Sequence, residues 1–194
     1  MLSTVNEQEK LDPRVKRTRQ LLEQAFIGLL EEKGFQAITV QDITDRAGVN
    51  RATFYAHFND KYALLDHGIR QGFLQEIEKR MLNACHYSAE NLRNLIVAVC
   101  EFTHAINSHC KPAQAQFESL VETQVKAVVY EILLNWLKQV EVDVAPETAA
   151  TAASWAIYGL ASQWSHEKHP QPVEGFAAEV LPLVASNLQL TSAA

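Results

Sequence analysis

Residues 51–57 read Arg-Ala-Thr-Phe-Tyr-Ala-His, a set suited to the edges of base pairs. On a helix, Phe54 and Phe58 lie four apart and share one face, while Ala52, Thr53, Tyr55 and Ala56 fall opposite or beside it. One face is then free for a core and the other for a ligand. Arg51, at the helix N-terminus, can reach guanine O6 and N7; the small Ala52 and Ala56 allow close approach, with methyls that can meet thymine methyls. Thr53, Tyr55 and His57 add hydroxyl and imidazole donors. Phosphate contacts to hold such a helix in register need donors on either side of the groove. Lys61 begins a helix whose dipole favours an anion, and Thr39 offers the equivalent at another helix start. Arg14, Lys16, Arg17 and Arg19, with no acidic residue between them, are placed for a neighbouring phosphate strand.

The elements that must position these residues are legible from punctuation and period. Residues 1–12 lack periodicity and read as a flexible arm. Pro13 can open a helix, Leu21, Leu22, Ala25, Phe26, Leu29 and Leu30 recur at helical spacing, and Gly34 stops the run, giving a helix Pro13–Lys33. Thr39 and Asp42 have capping-box spacing for a short helix ending at Gly48. Asn50 is a good cap for a third helix, Arg51 to about His57. Two short helices across a tight glycine turn form a helix-turn-helix, whose second helix can enter the major groove. Asn59 and Asp60 then cap a long helix to about Asn83.

Beyond it the period stays helical, over Asn91–Asn107, from Pro112 to Val140, over Ala149–Lys168 and over Val173–Leu190. The expectation is about nine helices and no sheet, with a boundary in or just after the fourth.

The sequence has 194 residues, of which 47% are hydrophobic and 21% charged, which excludes a disordered or collagenous chain and leaves room for a sizeable core. Its net charge of −6 is uneven. Lys10 to Tyr62 holds nine basic against seven acidic residues, whereas His67 to Ala194 holds eight against thirteen. A small anion-binding lobe on an acidic body fits that division. No apolar run approaches the ~20 residues of a bilayer span, and the polar, acidic start is unlike a signal peptide, so no membrane role and a cytoplasmic location are expected.

The segments Ile38-Thr39-Val40-Gln41-Asp42-Ile43, Ala47-Gly48-Val49, Thr53-Phe54-Tyr55, His57-Phe58 and Lys61-Tyr62-Ala63-Leu64-Leu65, in that order, resemble the DNA-binding domain of TetR-family transcriptional regulators. The likeness covers about Arg14 to Leu65. It implies an all-α chain with an N-terminal helix-turn-helix domain at 13–60, after the arm, and a larger helical ligand-binding and dimerisation domain at 61–194. It implies a bacterial homodimer, usually a repressor, that binds a palindromic double-stranded DNA operator and is released by a small-molecule effector, still unidentified. Base contacts then fall to Gln41, Arg51, Ala52, Thr53 and Ala56, and phosphate contacts to Thr39, Tyr55, His57 and Lys61. Arg51 and Ala56 stand at variable positions of the pattern, so the operator sequence does not follow. After about Asn83 no pattern points to a subfamily.

In the body, Phe102, Phe117, Trp136, Trp155, Tyr158 and Trp164 can line a cavity or simply form core. His104, Phe117 and Trp155 are the expected pocket residues. Cys100 and His104 are four apart, but without a compact CxxC or HxxxH unit no metal is expected, and Cys85, Cys100 and Cys110 read as buried thiols. His166 and His169 suit the negative end of a helix dipole. No nucleophile with a base, carboxylate pair or phosphate loop is recognisable, so no enzyme and no cofactor are expected. The small residues Ala149 to Ala161, with the apolar last helix, suggest a bundle with a second copy through Ala156, Phe176, Val180, Val184 and Leu188.

Overall fold

The computed structural model describes residues 12–80, 85–109, 115–168 and 170–190. The arm before Asp12, the helix end expected near Asn83, Cys110, Pro112 and His169 lie outside the described residues. Within them the chain forms α1 (Pro13–Lys33), a single 3-10 turn (Phe35–Ala37), α2 (Val40–Ala47), α3 (Arg51–Tyr55) and α4 (Lys61–Arg80). Then follow α5 (Ala89–His109), α6 (Ala115–Leu137), α7 (Pro146–Ser165) and α8 (Val173–Ser186). That is eight α-helices among the described residues, one fewer than expected. The sole extended pairing described is an isolated bridge between Val142 and Leu190.

The caps explain the boundaries. Asp12 Oδ1 accepts from Arg14 N at 2.8 Å, with Pro13 in the first turn, where its missing N–H costs nothing. Thr39 and Asp42 close the full capping box on α2, and Gly48 ends it in the left-handed region at φ 67°, a conformation that side chains disfavour. Asn50 Oδ1 accepts from Thr53 N at 2.7 Å and Asp60 Oδ1 from Ala63 N at 2.8 Å, opening α3 and α4.

α3 stops at Tyr55 because Phe54 O takes the N–H groups of both His57 and Phe58, closing a turn. α7 starts at Pro146 instead of Ala149, since the proline read as a break is itself the first helical residue. α8 ends at Ser186, where Leu190 leaves to pair with Val142 and Asp143 N donates to Gln189 O at 3.0 Å.

α1 to α3 enclose Leu22, Phe26, Ile43, Phe54 and Phe58. Two ion pairs bind α2 to α1: Lys33 Nζ to Asp42 at 2.8 Å and Arg46 to Glu32 at 2.8 Å. Gly28 gives Arg46 its place, since a Cβ there would lie 2.9 Å from the guanidinium. In the body, α7 packs on α5 and α6, and α8 on α5. Val180, Val184 and Leu188 are at most 4% exposed in this packing. That corrects the expectation that they face a second copy: their apolar period marks the seam of α8 within its own subunit. Phe176 is half-buried and stacked on Trp164 at 6.1 Å, and Ala156 is half-buried. Exposed instead are Trp155 (63%) and Leu183 (60%). Cys100 is buried, which pushes its thiol up to about 12, whereas Cys85 is exposed, contrary to expectation.

Candidate nucleic-acid interface

The two aromatic rings of residues 54 and 58 decide what α3 can show to a partner. Phe54 is fully buried and Phe58 nearly so, 6.0 Å apart between ring centres, and they lock the inner face of α3 and the turn after it to the domain core. Arg51, Ala52, Tyr55 and Ala56 are left exposed on the outside, with Thr53 half-buried beside them. The split expected from spacing is present.

Details at these residues set their chemistry. The Thr53 hydroxyl donates to Asn50 Oδ1 at 3.0 Å, which holds it at the start of α3 with its oxygen free to accept. The Gln41 amide nitrogen donates to Asp45, also exposed on α2, which fixes the carboxamide. Tyr55 is 55% exposed and stands edge-on to Phe54 at 5.4 Å, so the core side aims the ring outward. His57 is half-buried; burial first, and then Arg19, lowers its pKa, favouring a neutral ring with one N–H. The Thr39 hydroxyl donates to Asp42 Oδ2 at 2.6 Å and accepts from Asp42 N at 3.2 Å. Its proton is therefore already engaged within the capping box.

Lys61 departs most from expectation. Its ammonium donates to Phe35 O at 3.1 Å, Gln36 O at 3.3 Å and Ile38 O at 2.8 Å, and lies 4.6 Å from the Phe35 ring centre. An ammonium has three protons, and all three are used. The side chain fastens the turn between α1 and α2 and is not available as the free phosphate-binding cation that its position suggested. Of the other basic residues, Arg14, Lys16 and Arg17 are exposed on α1, while Arg19 is half-buried with its guanidinium 5.9 Å from the centre of the Phe58 ring.

Between this domain and the body lies a cavity of about 340 Å³, walled mainly by Phe26, Ile27 and Leu30 of α1, Ile69 of α4 and Phe102 and Ile106 of α5. Gly68 and Gly72, one turn apart on α4, make room for it; a Cβ at Gly68 would meet nothing within 4 Å. This pair, spaced four apart, is the sequence signal that a reading by aromatic residues missed. A smaller cavity of about 120 Å³ sits between α5, α6 and α7, with Thr103, Asn107, Glu118, Glu122, Tyr158 and His166 in its lining. Phe117 and Ile106 line both.

Of the three expected pocket residues, Phe117 is at the cavities and the other two are not. His104 is exposed and packs on Trp164 at 5.5 Å, while Trp155 lies on the surface with Lys126 Nζ 3.9 Å from its ring centre. Trp136 and Trp164 are core. Burial raises the Tyr158 hydroxyl to about 12, with Glu122 and Glu118 contributing. No group of three or more metal-ligating side chains occurs among the described residues, and none of their helices is long and apolar enough to cross a membrane.

A three-helix unit with a glycine-turned helix pair and a second helix free on its polar face defines the helix-turn-helix class of DNA-binding domain. Residues 22–67 match the family model described as bacterial regulatory proteins, tetR family. Residues 22–67 thus carry a domain of the kind that model describes.

Among curated proteins it is 39% identical over 72 residues to the uncharacterised HTH-type transcriptional regulator YxbF of Bacillus subtilis (strain 168), covering 37% of this chain and 19% of that one. It is 41% identical over 49 residues to the HTH-type transcriptional repressor KstR2 of Rhodococcus jostii (strain RHA1), covering 25% of this chain and 24% of that one. The matched stretches thus span a quarter or less of those relatives. Among solved structures, a TetR-family regulator from Streptomyces coelicolor A3 aligns over 91% of this chain and 97% of its own, with TM-score 0.64 at 17% identity. Thermus thermophilus FadR, a TetR-family repressor solved with lauroyl-CoA, aligns over 90% and 97% with TM-score 0.57 at 20% identity. At such identities the likeness establishes the shared fold.

Proposed function

We propose that the protein is a repressor that binds an inverted-repeat DNA operator as a homodimer in the cytoplasm and leaves it when a small molecule enters the cavities behind the reading domain. The observation that carries this reading is the two-faced α3, held from within by Phe54 and Phe58 and open outside at Arg51, Ala52 and Ala56. Gln41, Arg51, Ala52, Thr53 and Ala56 meet base edges. Tyr55, His57 and the exposed cations of α1 meet phosphates, joined at the start of α4 by backbone N–H groups in place of the Lys61 ammonium. Thr39 donates its hydroxyl proton to a phosphate only if the capping box rearranges, since Asp42 Oδ2 holds that proton. The repressor role is favoured by the name of the Rhodococcus relative.

One helix this short reads too few base pairs for useful specificity, so two copies are required. The exposed faces of α7 and α8, with Ala152, Trp155 and Gly159 on one and Pro182 and Leu183 on the other, supply the apolar surface for pairing. Phe117 connects occupancy to DNA: it lines both cavities and lies 6.3 Å from Phe35, in the turn that leads into α2. A ligand that displaces Phe117 acts on that turn. The Thermus neighbour solved with lauroyl-CoA supports a small-molecule effector as such. The role is binding, with no catalytic step.

Fluorescence anisotropy with a labelled duplex from upstream of the chain's own gene tests the reading. Affinity well above that for a scrambled duplex, falling steeply with salt, is expected. Equal affinity for both duplexes, or none for either, refutes it.

A further inference from the structure

Two rows of polar side chains come together where α1 meets α4, outside the cavities and away from α3. On α1, Lys16, Arg19, Gln20 and Glu23 recur at three- and four-residue spacing; on α4, His67, Gln71 and Gln75 recur every four residues. Each row is therefore one helix face. Between them lies a recess of about 70 Å³, room for one tetrahedral oxyanion.

The lining is a set of donors without acceptors. Arg19 Nε is enclosed and has no acceptor among the described residues, although buried polar groups are nearly always paired. Its guanidinium lies 5.9 Å from the centre of the Phe58 ring, which positions the charge without neutralising it. Lys16 at the rim makes no ion pair among the described residues, and the carboxamides of Gln20, Gln71 and Gln75 make no hydrogen bond among them. The one carboxylate in the lining, Glu23, lies 3.0 Å from His67 Nε2 and so already has a partner.

We infer that this recess is a phosphate site. Arg19 and Lys16 supply the charge, the planar guanidinium can meet two oxygens of one phosphate, and Gln20, Gln71 and Gln75 donate N–H groups to the rest. A phosphate held there ties α1, within the reading domain, to α4, which leads into the body. It arrives on a free molecule or on a DNA strand, and both present the same oxygens.

The first arm of the test is calorimetric titration of inorganic phosphate into the full chain at constant ionic strength, with sodium chloride as the balancing salt. Saturable uptake is expected, weakened about tenfold by Gln71→Glu, which sets a carboxylate against the ligand, and by Arg19→Gln. Gln71→Glu is nearly isosteric and keeps the fold even where Arg19→Gln loosens the packing on Phe58. No saturable uptake, or uptake unchanged in Gln71→Glu, overturns the inference. The second arm repeats the titration with the upstream duplex bound. Uptake blocked by the duplex assigns the site to a DNA phosphate, and uptake that persists assigns it to a free one; both sustain the phosphate site. The first arm needs no DNA, so its failure and the failure of the operator reading are separate results.

Discussion

Replacing Lys61 by Met distinguishes a fastener from a phosphate ligand. Methionine keeps most of the apolar stem beside Phe35 and removes only the ammonium, leaving three carbonyls at 2.8 to 3.3 Å without their donor. In a dry site a hydrogen bond to a charged group contributes ~1.5–3 kcal/mol, but Gln36 is exposed and water can reach its carbonyl. About 1 kcal/mol per bond is a fairer figure, for a total loss of about 2–3 kcal/mol. In a chain of 194 residues that corresponds to a fall in Tm of about 5–10 °C. The assay is thermal unfolding together with DNA affinity at several salt concentrations. A lost phosphate contact would make the log–log salt slope shallower by about 0.9, whereas a lost fastener leaves the slope of the folded protein unchanged. An unchanged Tm with a shallower slope would refute the assignment.

Arg51→Ala is expected to weaken operator binding by ~1–3 kcal/mol and relax preference at one position of each half-site, measured by competition against substituted duplexes. Leu183→Asp should give a folded monomer by analytical ultracentrifugation and little operator affinity by anisotropy, since it charges the exposed face proposed for pairing. Val184→Asp should instead cost several kcal/mol of subunit stability because that position is buried within the fold. Asp42 is held well below the ordinary aspartate value of 3.8 by Lys33 and then by Thr39, so its contribution is present above that pH and lost as pH falls through the acid range. Asp42→Asn should flatten the loss of thermal stability on acidification.

The reading domain was legible in the sequence because its determinants are local. Thr39 with Asp42, Asn50 with Thr53 and Asp60 with Ala63 all act three residues apart, and Phe54 with Phe58 four apart. Lys61 was misread because its partners lie 23 to 26 residues away, a tertiary fact that residue type and helix position do not carry. The apolar period of Val180, Val184 and Leu188 identified a buried face correctly but not what buries it, since packing within a subunit and packing between two leave the same pattern. Trp155 and His104 were expected inside for their size and chemistry, yet α7 and α5 turn them outward. The cavity depends on side chains that are absent at Gly68 and Gly72, and emptiness shared by several helices leaves little trace in any one segment.

The claim that two copies of α3 read DNA together is tested most directly by selection from a random duplex pool with the purified full chain, followed by sequencing. The account predicts enrichment of an inverted repeat whose half-site centres lie ~10 base pairs, or a multiple of that, apart. Recovery of no enriched sequence, or of a single asymmetric site, would contradict it.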